Sequence, residues 1–251
     1  MKGKKIIMQN KCAMFLLGAT LAFGLALSAY IIGQAAVKVS KNNSIRVKGS
    51  AMRLVESDFA HWSGNFSVTD KNQATALKKL ENVQNKVKIY LIKSGLKIEE
   101  ISFGRIYSEA VFKTITDAQG NRSQEFSHYS ISQTFKVASS KVHVVERLSR
   151  ESTSLIKEGF GFTSFSPSYV ILDLDKYKME LLKEATINAT ARANVLASNS
   201  KGRVGDLIDA SQGVFQITAP ASSDISSYGE YDKTTIMKEV KAVVTLEFKV
   251  E

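Results

Sequence analysis

Apolar and polar positions fall into three regimes along the chain. Residues Ala13 to Ile32 (AMFLLGATLAFGLALSAYII) form an uncharged run of twenty. As a helix this run would span roughly 30 Å, the thickness of a bilayer core. Residues 33–44 follow as a tether, polar from Val37 to Ser44 (VKVSKNNS). From Ile45 to the C-terminus the pattern alternates between strand and helix periods.

In that third regime Ile45, Val47, Met52 and Leu54, then Phe59 to Val68, predict two strands with a turn at Glu56-Ser57-Asp58. Asp70 with Gln73 resembles a capping box. Ala74, Leu77, Leu80, Val87 and Leu91 then mark one face of a helix that stops at Gly95. Ile98 to Thr116 and Phe126 to Val137 predict a hairpin around Asp117 to Asn121. Ser140 is placed to cap a second helix with Val142, Val145, Leu148, Leu155 and Ile156, closing at Gly159. A strand at Phe165 to Leu172 precedes the longest helix, Asp175 to Ser200, which carries Ala185, Ala189, Ala191, Ala193 and Ala197 and ends at Gly202 and Gly205. Val204 to Ile217 predicts a strand, Ala219 to Lys233 a polar loop, and Val240 to Val250 a final alternating strand. The order ββαββαβαββ implies an α+β fold: mixed, largely antiparallel sheets with about three packed helices. The strand–helix–strand around Asp175 to Ser200 is expected to form one right-handed parallel crossover. Two lobes are compatible with this order, although no linker separates them.

Charge gives the first segment a direction. Lys2, Lys4, Lys5 and Lys11 precede the apolar run with no acid among them. Retention of this basic end inside the cell makes residues 1–12 a cytoplasmic tail and 13–32 a transmembrane anchor, with the remainder exported. The rival reading is a cleaved signal peptide, because Gly33-Gln34-Ala35 is a small-x-small site. The whole chain carries a net charge of +10, spread without a basic stripe. This argues against nucleic-acid binding and for mild attraction to anionic lipid or envelope polymer. The single cysteine, Cys12, precedes the apolar run, so it does not fit a lipoprotein pattern, and the domain can form no internal disulfide.

Candidate chemistry is sparse. His61, His128 and His143 are far apart in sequence and lack metal-ligand spacing; strand or surface roles explain them better. Ser63-Gly64 and Ser211-Gln212-Gly213 look turn-like, and no nucleophile elbow occurs. Asp173 and Asp175 suit a helix start, and Asp206 and Asp209 a strand end. Gly159-Phe160-Gly161-Phe162 lacks the lysine of a phosphate loop and is expected to join helix to strand. The alanine stripe suits close core packing, with a subunit contact as the alternative. No catalytic, metal-binding or cofactor-binding residue is assigned.

Ile45-Arg46-Val47-Lys48-Gly49-Ser50-Ala51, followed by Asp58, resembles the opening of the SIMPL-domain family. Ala189, Ala191-Arg192-Ala193, Leu196-Ala197, Gly202, Val204-Gly205 and Leu207 are similar to that family's alanine-rich helix, turn and strand. The likeness covers residues 45–251, the exported domain. Bulky Met52, Arg53 and Leu54 depart from the family's opening, which often has another small-residue pattern there. The resemblance implies a bacterial periplasmic or cell-envelope protein that tends to self-assemble into rings. It implies no established reaction or cofactor, and with a bacterial source the sequons at Asn42, Asn65, Asn121 and Asn188 carry little weight. The expectation is a non-enzymatic, single-pass protein, N-terminus inside and domain outside, that forms homo-oligomers or binds envelope partners. The alternative is a secreted small-molecule or metal-binding domain using a cleft near the Gly202 to Gly205 turn.

Overall fold

A computed structural model describes residues 17–34, 43–116, 118–222 and 226–251. The basic tail, Cys12, Ala13 to Leu16, Ala35 with its cleavage site, and most of the tether lie outside the described residues. The first described element, α1 (Leu17–Gln34), is a helix long and apolar enough to cross a membrane, with none of its surface buried by the rest of the chain.

Among the described residues ten strands and three more helices follow: β1 (Ser44–Glu56), β2 (Phe59–Asp70), α2 (Gln73–Lys93), β3 (Ile101–Thr116), β4 (Arg122–Ser139), α3 (Val142–Glu151), β5 (Gly161–Ser164), β6 (Ser168–Val170), α4 (Leu174–Asn199), β7 (Val204–Gln212), β8 (Gln216–Thr218), β9 (Glu230–Tyr231) and β10 (Met237–Val250). The class is α+β, as the order of periods implies. The strands form two five-stranded sheets. In one the order is β1-β10-β8-β9, with β7 also on β10; in the other it is β3-β4-β2-β5, with β6 also on β2.

The chain divides into two compact units. One contains the chain to Gly49, Thr186–Gln212 and Val244–Glu251. Here β7 runs antiparallel to the end of β10, and Ala189, Ala193, Ala197, Val244, Leu246 and Phe248 are buried. The four-residue spacing of the alanines keeps them on one helical face, so their burial agrees with the packing role. Ala191 is not part of that face; it lies exposed.

The other unit contains Ser50–Ala185 and Gly213–Val243. Its main core joins Trp62 and Phe66 of β2, Ile131, Phe135 and Val137 of β4, the inner face of α2, and Val145 and Leu148 of α3. Strict alternation on β2 and β4 sends every second residue inward. Trp62 and Phe135 meet edge to face, with ring centroids 5.0 Å apart.

Several expected details change. The buried face of α2 is Ala76, Leu80, Val83, Val87 and Leu91, not the face through Ala74 and Leu77. Asn72, not Asp70, caps α2, accepting a bond from the Thr75 amide at 3.0 Å. Lys141 occupies the cap position of α3 and its side chain makes no cap bond, so Ser140 is not the cap. The second helix gives way to a 3-10 turn at Ser152–Glu158, leaving Ile156 exposed, before Gly159 turns the chain at φ +85°. The Phe165 to Leu172 strand shrinks to β6, Ser168–Val170, while β5 lies before it at Gly161–Ser164, and each runs antiparallel to β2. Val204 to Ile217 likewise breaks into β7 and β8. The parallel crossover is absent among the described strands, because β6 and β7 belong to different sheets and β7 is antiparallel to β10. Among the described strands the parallel pair is β8 with β9.

Candidate functional site

The histidines are dispersed. His61 lies exposed on β2 with its ring edge-on to Phe59, 5.1 Å between centroids. His128 Nδ1 lies 2.9 Å from the Ser127 hydroxyl. His143, exposed on α3, lies 2.6 Å from Glu56. Among the described residues no group of three His, Cys, Asp or Glu side chains could hold a metal. Asp173 accepts from the Lys176 amide at the start of α4, and Asp175 pairs with Lys178 at 2.9 Å. Asp206 faces Lys249 at 3.8 Å, while Asp209 stands opposite Glu247 in the β7–β10 ladder. Ser63-Gly64 lies within β2, not in a turn. Ser211 and Gln212 end β7, and the Gly213 amide donates to the Val243 carbonyl at 2.9 Å. The Gly159 to Phe162 segment does join helix to strand, β5 starting at Gly161.

Two surfaces in the second unit stand out instead. The first is the outer half of the β3–β4 hairpin. Strand β4 pairs with β2 only from Tyr129 to Ser139, whereas it pairs with β3 from Arg122 to Val137. The ribbon beyond Ala110 and Tyr129 is therefore two strands wide. A register shift between Val111 and Phe112 brings Phe112 opposite Phe126. Their rings meet edge to face at 6.0 Å, and Phe126 also reaches Tyr129 at 5.0 Å. Phe112 remains 54% exposed and Phe126 38% exposed. Ribbons this narrow are marginal in water without a covering layer. The N-terminus of α2 reaches the hairpin at Ser108, where the Gln73 amide nitrogen donates to its hydroxyl at 3.0 Å.

The second surface is a cleft of about 730 Å³ bordered by α3, the β5–β6 connection and the segment before β10. Glu146 and Arg150 pair one turn apart on α3 at its wall. Phe165 borders it and is 47% exposed. Tyr169 is only 5% exposed, and among the described residues its hydroxyl has no protein partner. Burial pushes this phenol up, the Glu146 carboxylate adds to the effect, and Arg150 pulls it back. The Tyr169 amide is already committed to the Lys233 carbonyl at 2.8 Å.

A buried lysine braces the wall formed by Thr234, Thr235 and Ile236. Lys238 is fully buried, and its ammonium donates to the Asp232 and Thr235 carbonyls at 2.6 and 2.8 Å. Asp232 Oδ1 accepts from the Thr234 amide and hydroxyl, while Oδ2 accepts from Thr235 and lies 3.5 Å from Lys238. Burial opposes the Asp232 carboxylate, but the Thr235 and Thr234 bonds and the lysine charge outweigh it, holding the carboxyl far below its usual range. Burial pushes the Lys238 ammonium down, against the pull of Asp232.

No motif or residue spacing along the chain marks either surface as functional. The cleft gathers side chains from three distant segments, and no spacing rule connects them. The ribbon had a signal, a hairpin with paired aromatics, but pairing width is a property of the sheet.

No curated protein matches the chain. The model of the family described as "SIMPL: Protein of unknown function (DUF541)" matches residues 45–248. That match spans β1 through nearly all of β10, both sheets and both surfaces just described, and the chain belongs to the SIMPL family.

Proposed function

We propose that the protein is a membrane-tethered, non-enzymatic interaction module of the bacterial cell envelope. Helix α1 holds it in the cytoplasmic membrane with the N-terminus inside and the SIMPL domain outside. The domain associates with further copies of itself through the outer β3–β4 ribbon. The observation that carries this reading is the narrow ribbon with Phe112 and Phe126 left at its surface. Exposed aromatic clusters of this kind are the side chains that dominate protein interfaces. The family's implied tendency toward rings supports the same reading. The dispersed histidines and the structural roles of the aspartates support a role without catalysis.

The test is the particle mass of the full chain in a small zwitterionic detergent, by light scattering with the detergent contribution subtracted. Several chains per particle are expected. The double substitution Phe112→Ser with Phe126→Ser should reduce that number while far-ultraviolet circular dichroism stays the same. A wild-type particle holding one chain at high concentration would overturn self-association, and so would an assembly indifferent to the double substitution.

A further inference from the structure

The cleft beside α3 has a polar inventory that the fold itself leaves partly unused. Most hydroxyls near it are engaged. Ser164 accepts from the Trp62 indole at 3.1 Å and donates to the Ser149 carbonyl at 2.8 Å. Ser149 and Thr153 donate back to helix carbonyls, and Thr234 and Thr235 bond Asp232. The exceptions are the exposed Ser166 and the Tyr169 hydroxyl. The latter is held in a side chain almost wholly buried, with no protein partner among the described residues. The enclosed side-chain atoms without a partner among the described residues are the Ser57 hydroxyl and the Gln133 side-chain oxygen, so the Tyr169 hydroxyl is open to the cleft and a ligand can take water's place on it.

The neighbouring groups define what that is. Glu146 and Arg150 neutralise one another, so the wall presents acceptors and donors side by side with no net charge. This favours a neutral ligand that both donates and accepts over a phosphate or carboxylate. Phe165 adds an exposed aromatic face at the rim, and flat apolar faces suit the C–H side of a pyranose ring. The volume of about 730 Å³ lies within the usual range for small-ligand sites. The walls are braced, because β5 is laddered to β2 and Lys238 ties down the Asp232 to Thr235 segment. An extended peptide is disfavoured, since the Tyr169 amide it would pair with already donates to Lys233.

We propose that this cleft is a glycan-binding site for neutral sugar rings of an oligosaccharide, with Phe165 as the stacking face and with Glu146, Arg150 and the Tyr169 hydroxyl bonding the sugar hydroxyls. The site does not depend on self-association, and its occupancy is read separately from particle mass.

The chain has one tryptophan, and its indole bonds Ser164 at the cleft, so Trp62 emission is a built-in reporter. The experiment titrates the full chain, in a detergent without a sugar headgroup, with chitotetraose, cellotetraose and maltotetraose, and with tetraglycine as the peptide control. Saturation-transfer NMR on the same samples detects binding that leaves Trp62 silent. At least one oligosaccharide is expected to bind saturably in the millimolar range, with tetraglycine inert. Phe165→Ala should weaken that binding about 10-fold and Tyr169→Phe about 5-fold. The Tyr169→Phe variant keeps the packed ring and should unfold at an unchanged temperature, separating ligand contact from structure. No saturable response to any of the three sugars by either readout, up to about 20 mM, would overturn the proposal. So would tetraglycine binding in place of sugar, or sugar binding indifferent to both substitutions.

Discussion

Gly64 has no room for a β-carbon. One built there would lie 2.6 Å from the Phe135 ring and 2.8 Å from the Thr163 carbonyl oxygen. The carbonyl is held in the β2–β5 ladder, where Gly64 stands opposite Ser164, so it cannot withdraw without disturbing pairing. Gly64→Ala should therefore destabilise the domain by about 2 kcal/mol, measured by urea unfolding. Asp232 gives a second test, in pH. Its folded pKa is held below the unfolded value of about 3.9. Its stabilisation is thus complete above that value and is lost as pH falls toward the folded pKa. Asp232→Asn should lower stability at pH 7 by about 3 kcal/mol, because buried Lys238 loses its countercharge. The same change should flatten the decline in melting temperature below about pH 5. A parallel decline in both proteins would show that the acid limb arises elsewhere.

The helices show how far a period can be read along an element. In α2 the apolar residues are frequent enough to draw two neighbouring faces, through Ala74 and Leu77 or through Ala76 and Val83. Packing against β2 and β4 selects the second. Removing the cap with Asn72→Ala should cost about 1 kcal/mol, whereas Asp70 holds the Asn72 amide and Lys79 at the turn. In α4 the four-residue alanine series is buried and the odd member, Ala191, is exposed. Ala193→Leu should therefore cost about 2 kcal/mol through overpacking, and Ala191→Leu less than about 0.5 kcal/mol. Thermal melts of the two variants check this pair. Among strands, the long alternating runs were legible in sequence and the short ones were not. Strands β5, β6, β8 and β9 have two to four residues, too few for a period to show. They are strands because a neighbour supplies the ladder.

For the whole molecule, the family and the first helix bear on where the protein works. The described part of the apolar run, Leu17–Gln34, is uncharged and unburied by the rest of the chain, which suits lipid contact or a signal helix equally. A retained anchor should keep the full chain in the membrane fraction after an alkaline wash, and Leu25→Arg should reduce that fraction because a central arginine costs about 3 kcal/mol in a spanning helix. Recovery of a soluble form beginning at Ala36 would establish the signal-peptide alternative.

The α+β class, the family, the apolar N-terminal segment and the long alternating strands follow from the amino-acid order alone. These rest on local periods and short motifs that repeat within one element. Long-range packing sets the rest: β6 and β7 enter different sheets, the β3–β4 hairpin outruns its neighbour, and Glu146, Phe165, Tyr169 and Thr234 border one cleft. Sheet partners, overhangs and clefts arise between segments far apart in the chain. Whether the hydroxyl of a packed ring such as Tyr169 finds a partner depends on what those distant segments bring to it, which no local pattern records.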